Sequence, residues 1–229
     1  MRYDRTVPAV FLRRPNRFIA VTELNGQEET VHVKNTGRCR ELLLPGREVI
    51  LAESDRPGRK TRYDLVSVRK PGVGWINIDS QAPNAVVQEW LNTKPVPFAD
   101  MTLCRPEYTY GASRVDFYLE CGSRRILLEV KGCTLEMDGE GYFPDAPTER
   151  GVKHLHELAK ACREGFACCL AFVIAIPGVT MVHPNAEMHP AFGMALEEAR
   201  QAGVRVLYLP CQVWPDGLRI REREEEQRK

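Results

Sequence analysis

Leu127-Leu128-Glu129-Val130-Lys131 decides the fold of the larger half of this chain. Successive side chains of a strand point to opposite faces, so Leu128 and Val130 share one face while Glu129 and Lys131 share the other. Upstream, Arg114-Val115-Asp116-Phe117-Tyr118-Leu119 alternates in the same way, with Val115, Phe117 and Leu119 opposite Asp116. The two stretches lie at hairpin spacing. A hairpin of residues 114–120 and 125–131 brings Asp116, Glu129 and Lys131 to one sheet face.

Working outward, the hydrophobic periodicity predicts a helix over 85–91, opened by Pro83-Asn84, with Val86, Val87, Trp90 and Leu91 as its apolar stripe. Strands follow at 103–110, 114–120 and 125–131. A helix over 148–164 carries Val152, Leu155, Ala159 and Cys162 on its buried face. Residues 166–176 form a continuous apolar run, as in a strand covered on both faces. A helix over 190–202 and a strand over 204–209 complete the order α-β-β-β-α-β-α-β.

Toward the N-terminus the pattern changes to short strands at 17–24, 30–33, 47–52, 63–69 and 74–78. Asn25-Gly26, Pro45-Gly46, Pro57-Gly58 and Pro71-Gly72 punctuate them as turns. Residues 38–44 read as the one short helix. Five strands with one short helix match an OB-fold-like barrel, and an SH3-like barrel fits nearly as well. The predicted fold class is therefore two-domain α/β: a nucleic-acid-binding barrel over 1–82 and an α/β domain over 83–229.

Charge follows the same division. Residues 1–80 carry 15 Lys/Arg against 10 Asp/Glu, whereas residues 81–229 carry 17 against 21. An anion-facing barrel and a carboxylate-bearing second domain are the reading. The eight cysteines show no CxxC spacing, so reduced, structural cysteines are expected rather than zinc ligands or disulfides. No signal-peptide-like stretch and no membrane-length apolar run occur, and the expectation is a soluble, cytoplasmic protein. The terminal Arg221–Lys229 run, REREEEQRK, reads as a frayed helix end or tail.

The chemistry follows from the shared face. Asp116 and Glu129 together suit Mg²⁺ or Mn²⁺, hard cations that take oxygen ligands and keep several waters. A cation there activates water and neutralises charge on a phosphate, while Lys131 orients the water or stabilises the transition state. On the barrel, Arg13, Arg14 and Arg17 beside Phe11 and Phe18 could form a groove combining phosphate attraction with base stacking. Arg38, in Asn35-Thr36-Gly37-Arg38, is a further phosphate-contact candidate. Arg150 and His154 lie near the site in sequence, each to bind substrate or to cap and pack. His183, in Val-His-Pro, reads as loop.

The α-β-β-β-α-β order around Asp116, Glu129 and Lys131 resembles the core of the PD-(D/E)XK nuclease superfamily. That resemblance implies an acidic residue from the first helix, for which Glu89 is the match. It also implies a basic or amide residue from the helix after the Glu-x-Lys strand, for which Lys153 is the match. A narrower resemblance rests on His32-Val33-Lys34-Asn35-Thr36-Gly37-Arg38, Leu43-Leu44-Pro45-Gly46, Ser113 to Phe117, Glu129-Val130-Lys131, and Phe143-Pro144-Asp145-Ala146-Pro147-Thr148-Glu149-Arg150-Gly151-Val152-Lys153-His154-Leu155. Those stretches resemble the sugar fermentation stimulation protein (SfsA) family from about residue 11 to 214. Lys34 departs from the usual Pro, and Gly132-Cys133 from the usual Asn-Val. The family implies an OB-fold domain, a PD-(D/E)XK-type domain, non-specific DNA binding and a regulatory role in sugar (maltose) metabolism. Two readings stand: a Mg²⁺-dependent nuclease, or a non-catalytic DNA-binding regulator of sugar-metabolism genes. A small-molecule or protein-binding barrel is a third. No membrane partner is expected, and no protein partner can be inferred.

Overall fold

The computed structural model describes residues 1–221 apart from Thr36 and Ala112. Thr36 of the Asn-Thr-Gly stretch and residues 222–229 of the terminal run thus lie outside the described residues.

Six strands build the N-terminal part: β1 (Thr6–Asn16), β2 (Ile19–Leu24), β3 (Gln27–Val33), β4 (Glu48–Glu53), β5 (Tyr63–Lys70) and β6 (Gly74–Asn77). Their order is β3-β2-β1-β4-β5-β6, and a parallel pairing of His32 and Val33 with Asp64 and Leu65 closes the sheet. Closure leaves few unpaired edges, the usual solution for a small OB-like barrel. Phe11, Val31, Leu51, Leu65 and Ile76 fill its interior.

Two expectations fail here. Strand β1 is absent from the sequence reading because Pro8, Pro15 and the Arg13-Arg14 pair argue against a strand. The fold accommodates the Arg13-Arg14-Pro15 stretch with register shifts between Phe11 and Arg13 and between Arg13 and Asn16, whereas Pro8 lies outside the β2 pairing and opposite Ile50 of β4. The helix expected over 38–44 is instead a series of turns. Cys39 sits at φ 45°, a left-handed conformation that interrupts a right-handed helix at its second residue.

The second part begins with α1 (Ala82–Asn92), followed by β7 (Met101–Tyr110), β8 (Ser113–Cys121), β9 (Arg124–Cys133), β10 (Leu135–Met137) and β11 (Glu140–Phe143). Then come α2 (Glu149–Arg163), β12 (Ala167–Ile174), β13 (Val182–Pro184), α3 (Pro190–Gln201), β14 (Arg205–Trp214) and β15 (Gly217–Ile220). The main sheet runs β15-β14-β12-β9-β8-β7. Strands β9, β12 and β14 are parallel, and antiparallel hairpins extend both edges. Val86, Val87 and Leu91 of α1 pack with Leu128 and Val130 on one face. Leu155 and Leu158 of α2 and Leu196 of α3 pack with Leu127 and Phe172 on the other.

The predicted element order is present, with additions. Strands β10, β11 and β13 form a separate three-stranded sheet; each is only three or four residues long, too short for a period to register. His183, expected in a loop, lies in β13. Barrel and main sheet share one continuous apolar cluster, which runs from Val31 and Leu65 to Leu155 and Phe172. The eight cysteines are free, and burial pushes their thiols up where shifts occur, Cys169 to about 11 and Cys211 to about 12. No helix among the described residues is long and apolar enough to cross a membrane.

Candidate active site

The β8–β9 register sets Phe117 against Leu128, so Asp116, one step further on, meets the backbone near Glu129. Its Oδ2 accepts the Val130 N–H at 2.7 Å, and its Oδ1 accepts from Nδ2 of Asn84 in α1 at 2.7 Å. Glu129 is only 2% exposed. Its Oε1 accepts from Lys131 Nζ at 2.5 Å and from His154 Nδ1 of α2. Its Oε2 is buried and has no hydrogen-bond partner.

His154 is held from both sides, since Arg150 Nε donates to its Nε2 at 3.3 Å. Arginine only donates, so Nε2 must accept and the proton sits on Nδ1. The imidazole is thereby aimed at Glu129. Helix α2 is anchored where this chain of contacts begins: Thr148 caps it by accepting the Gly151 N–H at 3.1 Å.

The two carboxylates are driven apart. Burial raises the carboxyl of Asp116, the Glu129 charge raises it further, and the donors Val130 and Asn84 only partly offset both. Burial also pushes Glu129 up, but the His154 hydrogen bond and the Lys131 charge outweigh it and hold Glu129 below the ordinary carboxylate value. Paired titratable groups pushed in opposite directions are the arrangement that acid, base and metal chemistry uses.

Among the described residues no group of three or more His, Cys, Asp or Glu is arranged to hold a metal ion. Two hard carboxylates, one with an oxygen lacking any donor, nevertheless fit a small hard cation that completes its shell with water and substrate oxygen.

Other candidates fall elsewhere. Glu89 pairs with the Met1 ammonium at 2.5 Å and is 56% exposed. It lies five residues, about 140° around the helix, from Asn84, so α1 brings Asn84 to the site and not Glu89. Lys153 is 59% exposed and pairs with Glu157 at 3.7 Å. The buried stripe of α2 is Gly151, His154, Leu155, Leu158, Ala159 and Ala161. Only a residue on that stripe can reach the sheet, so lying off the apolar face, the feature that favoured Lys153, excludes it from contact with Glu129. The signals for Asn84 and His154 were their positions: the helix-opening Pro-Asn, and the register with Leu155.

The barrel arginines divide by role. Arg13 forms a bidentate pair with Glu28 at 2.7 Å. Arg14 donates to the carbonyls of Arg17, Asn35, Gly37 and Arg38, and so is a strut for the 35–38 loop. Arg38 is exposed. Arg17 lies over the Phe18 ring at 4.7 Å. A cleft of about 680 Å³ separates barrel from sheet, with Arg17, Asn35 and Ser80 on one wall and Lys131, Asp145 and Arg150 on the other. Of the predicted residues, the structure thus joins Asp116, Glu129 and Lys131, and sets Arg17 across a cleft from Lys131 and Arg150.

The chain matches two family descriptions: SfsA N-terminal OB domain over residues 12–78, and sugar fermentation stimulation protein RE domain over residues 81–217. A sugar fermentation stimulation protein homolog of Desulfitobacterium hafniense is 50% identical over 218 residues, spanning 95% of this chain and 94% of the relative. A homolog of the same name from Clostridium beijerinckii is 47% identical, spanning 97% of each chain. A solved structure of Pyrococcus furiosus SfsA in complex with Ca²⁺ superposes with a TM-score of 0.87 at 29% identity, covering 96% of this chain and 95% of that one.

Proposed function

The chain belongs to the sugar fermentation stimulation protein family, and on that footing we propose that it is a divalent-cation-dependent phosphodiesterase that binds and cleaves DNA. The observation that carries the reading is the donorless Oε2 of buried Glu129 beside Asp116. An ionised carboxylate oxygen without a partner is costly in a protein interior, and a cation held by Glu129 and Asp116 would remove that cost. The Ca²⁺ bound by the Pyrococcus furiosus relative is an oxygen-seeking cation of the same hard class.

Asp116 and Glu129 would hold Mg²⁺ or Mn²⁺, which when bound supplies an activated water and charge neutralisation at phosphate. Each protein group then has a defined task. Asn84 and the Val130 N–H orient Asp116, leaving lone pairs on both of its oxygens. His154 and Lys131 keep Glu129 ionised despite its burial. Lys131, at the cleft wall, acts on the attacking water or on the phosphate as charge develops. Two converging carboxylates would repel a phosphate backbone if they served binding alone.

The test is incubation of purified protein with DNA in Mg²⁺, Mn²⁺ or EDTA, beside Glu129→Gln. Cation-dependent strand cleavage that Glu129→Gln loses is the expected result. Absence of cleavage with every cation and DNA form, together with retained DNA binding, would instead identify a non-catalytic DNA-binding protein.

A further inference from the structure

The geometry points to a single strand of nucleic acid, not a duplex, as the ligand of the cleft between barrel and sheet. The inference deepens the phosphodiesterase reading, and rests on it for what happens to the strand once bound.

Charge is the first ground. Arg17 on the barrel wall and Arg150 on the facing wall form no ion pair among the described residues, whereas Arg13, Arg59, Arg62 and Arg69 each have a carboxylate partner. Two uncompensated cations across one recess suit a ligand with a negative charge at each repeat. Of the acidic residues lining the same recess, Asp79 is neutralised by Lys34 at 2.8 Å, and Asp145 is turned onto Gly37 and the Cys39 N–H.

Size is the second ground. A recess of about 680 Å³ falls within the roughly 300–1,000 Å³ that holds one small molecule, enough for about two nucleotides of one strand. A volume that holds about two nucleotides leaves no room for the paired second strand of a duplex. Nor can the walls swing apart freely. Lys70 of β5 pairs with Glu136 of β10, the Asn77 N–H reaches the Ala175 carbonyl at 3.3 Å, and the apolar cluster is continuous beneath. Parts joined by an extensive apolar interface lack the free relative motion of loosely tethered domains.

Chemistry beside Arg17 is the third ground. Phe18, the next residue, is 43% exposed with the Arg17 guanidinium lying over its ring at 4.7 Å, and the exposed part of an aromatic ring next to a basic groove is a stacking platform for an unpaired base. At the far wall, Lys131 touches Glu129 and Arg150 reaches it through His154. A strand held between Arg17 and Arg150 therefore presents its phosphates to the residues that contact the candidate catalytic carboxylate.

Binding is measured by fluorescence anisotropy in Ca²⁺, and in EDTA, with a labelled single strand, the same sequence as a blunt duplex, and a duplex with a single-stranded tail. The single strand and the tailed duplex should bind at least about tenfold more tightly than the blunt duplex, the scale of one base stacked on an aromatic ring. Arg17→Glu, an exposed position whose folding is checked by its melting curve, should lower single-strand affinity about tenfold. Equal or tighter binding of blunt duplex, or single-strand affinity unchanged in Arg17→Glu, overturns the inference. A strand preference without cleavage by any cation leaves the cleft assignment standing and removes the hydrolase. Cation-dependent cleavage within blunt duplex, with no strand preference in binding, does the reverse.

Discussion

Nδ1 of His154 donates to Oε1 of Glu129 while Nε2 of the same ring accepts from Arg150 Nε at 3.3 Å, so one imidazole joins a buried carboxylate to a cation at the cleft wall. The His154 hydrogen bond is also the largest of the influences that hold the Glu129 carboxyl below its ordinary value against burial. A group lowered in this way contributes stability above its unfolded pKa, and that stability is lost as pH falls through the folded value. The stability lost in His154→Ala should therefore be greatest above the unfolded pKa of Glu129 and shrink as pH falls below it. At neutral pH the substitution should cost about 1–3 kcal/mol for a buried acceptor left short of a donor. Urea titrations at neutral and acidic pH measure both. An equal loss at every pH would reduce His154 to packing.

Asp116 has the opposite sign. Burial first, and the Glu129 charge second, raise its carboxyl, so the folded protein holds that proton more tightly than the unfolded chain. Its stabilising contribution is complete at acid pH and is lost as pH rises through the raised value. Asp116→Asn has no such charge to bury. The new amide can accept from Val130 and donate to a turned Asn84. Without divalent ion at neutral pH the variant should melt above the wild type, by a margin that shrinks on acidification. The melting shift that Mg²⁺ or Mn²⁺ gives the wild type through binding the folded state should vanish. Scanning calorimetry with and without EDTA checks both; a variant that melts lower and still responds to the ion removes Asp116 from the cation site.

The residues that sequence made legible are those governed by a short period. Alternation within residues 127–131 was enough to put Glu129 and Lys131 on the face opposite Leu128 and Val130, because a strand offers only two faces; within 114–119 it broke at one step, since Val115 packs with Tyr118 and Leu127 and not with Phe117 and Leu119. Helices α1, α2 and α3 were legible from their apolar stripes. Contacts between elements were not. Whether α1 meets the sheet with Asn84 or Glu89, and α2 with His154 or Lys153, depends on the rotation of each helix about its axis, which only its packed face reveals. Strand β1 was concealed by its two prolines: Pro15 falls within a bulge of the pairing with β2, and Pro8 lies outside that pairing, opposite Ile50 of β4. The cleft had no local signature, because its walls come from residues as distant as Arg17 and Arg150.

At Gly37 the barrel and the sheet domain touch without room for a side chain. A Cβ there would lie 2.2 Å from Asp145 Oδ2 and 2.7 Å from its Cγ, and that carboxylate also accepts the Cys39 N–H at 3.4 Å. Gly37→Ala should destabilise the protein by about 1–3 kcal/mol, as overpacking does. Asp145→Ala removes the clashing atoms, so the double variant should be more stable than Gly37→Ala alone, with a coupling of at least about 0.5 kcal/mol in the thermodynamic cycle. Additive losses in chemical denaturation would mean that the two positions do not constrain one another.

Lys131 separates catalysis from binding. Its ammonium bonds Oε1 of Glu129 at 2.5 Å and lines the cleft, yet it is not a cation ligand, so Lys131→Ala keeps both carboxylates. Loss of a group acting chiefly on the transition state lowers rate far more than affinity. Cleavage of DNA by Lys131→Ala should fall at least about a hundredfold, the scale of one lost electrostatic partner. DNA affinity should change by less than about threefold, since one lysine is a small part of a footprint spread over several phosphates. Single-turnover cleavage and anisotropy on the same DNA supply the two numbers. Equal residual activity in wild type and variant would mark a contaminating nuclease. A large affinity loss, with no cleavage to lose, would recast Asp116, Glu129 and Lys131 as a cation-assisted clamp on phosphate, with Lys131 spending its charge on binding instead of on the reaction.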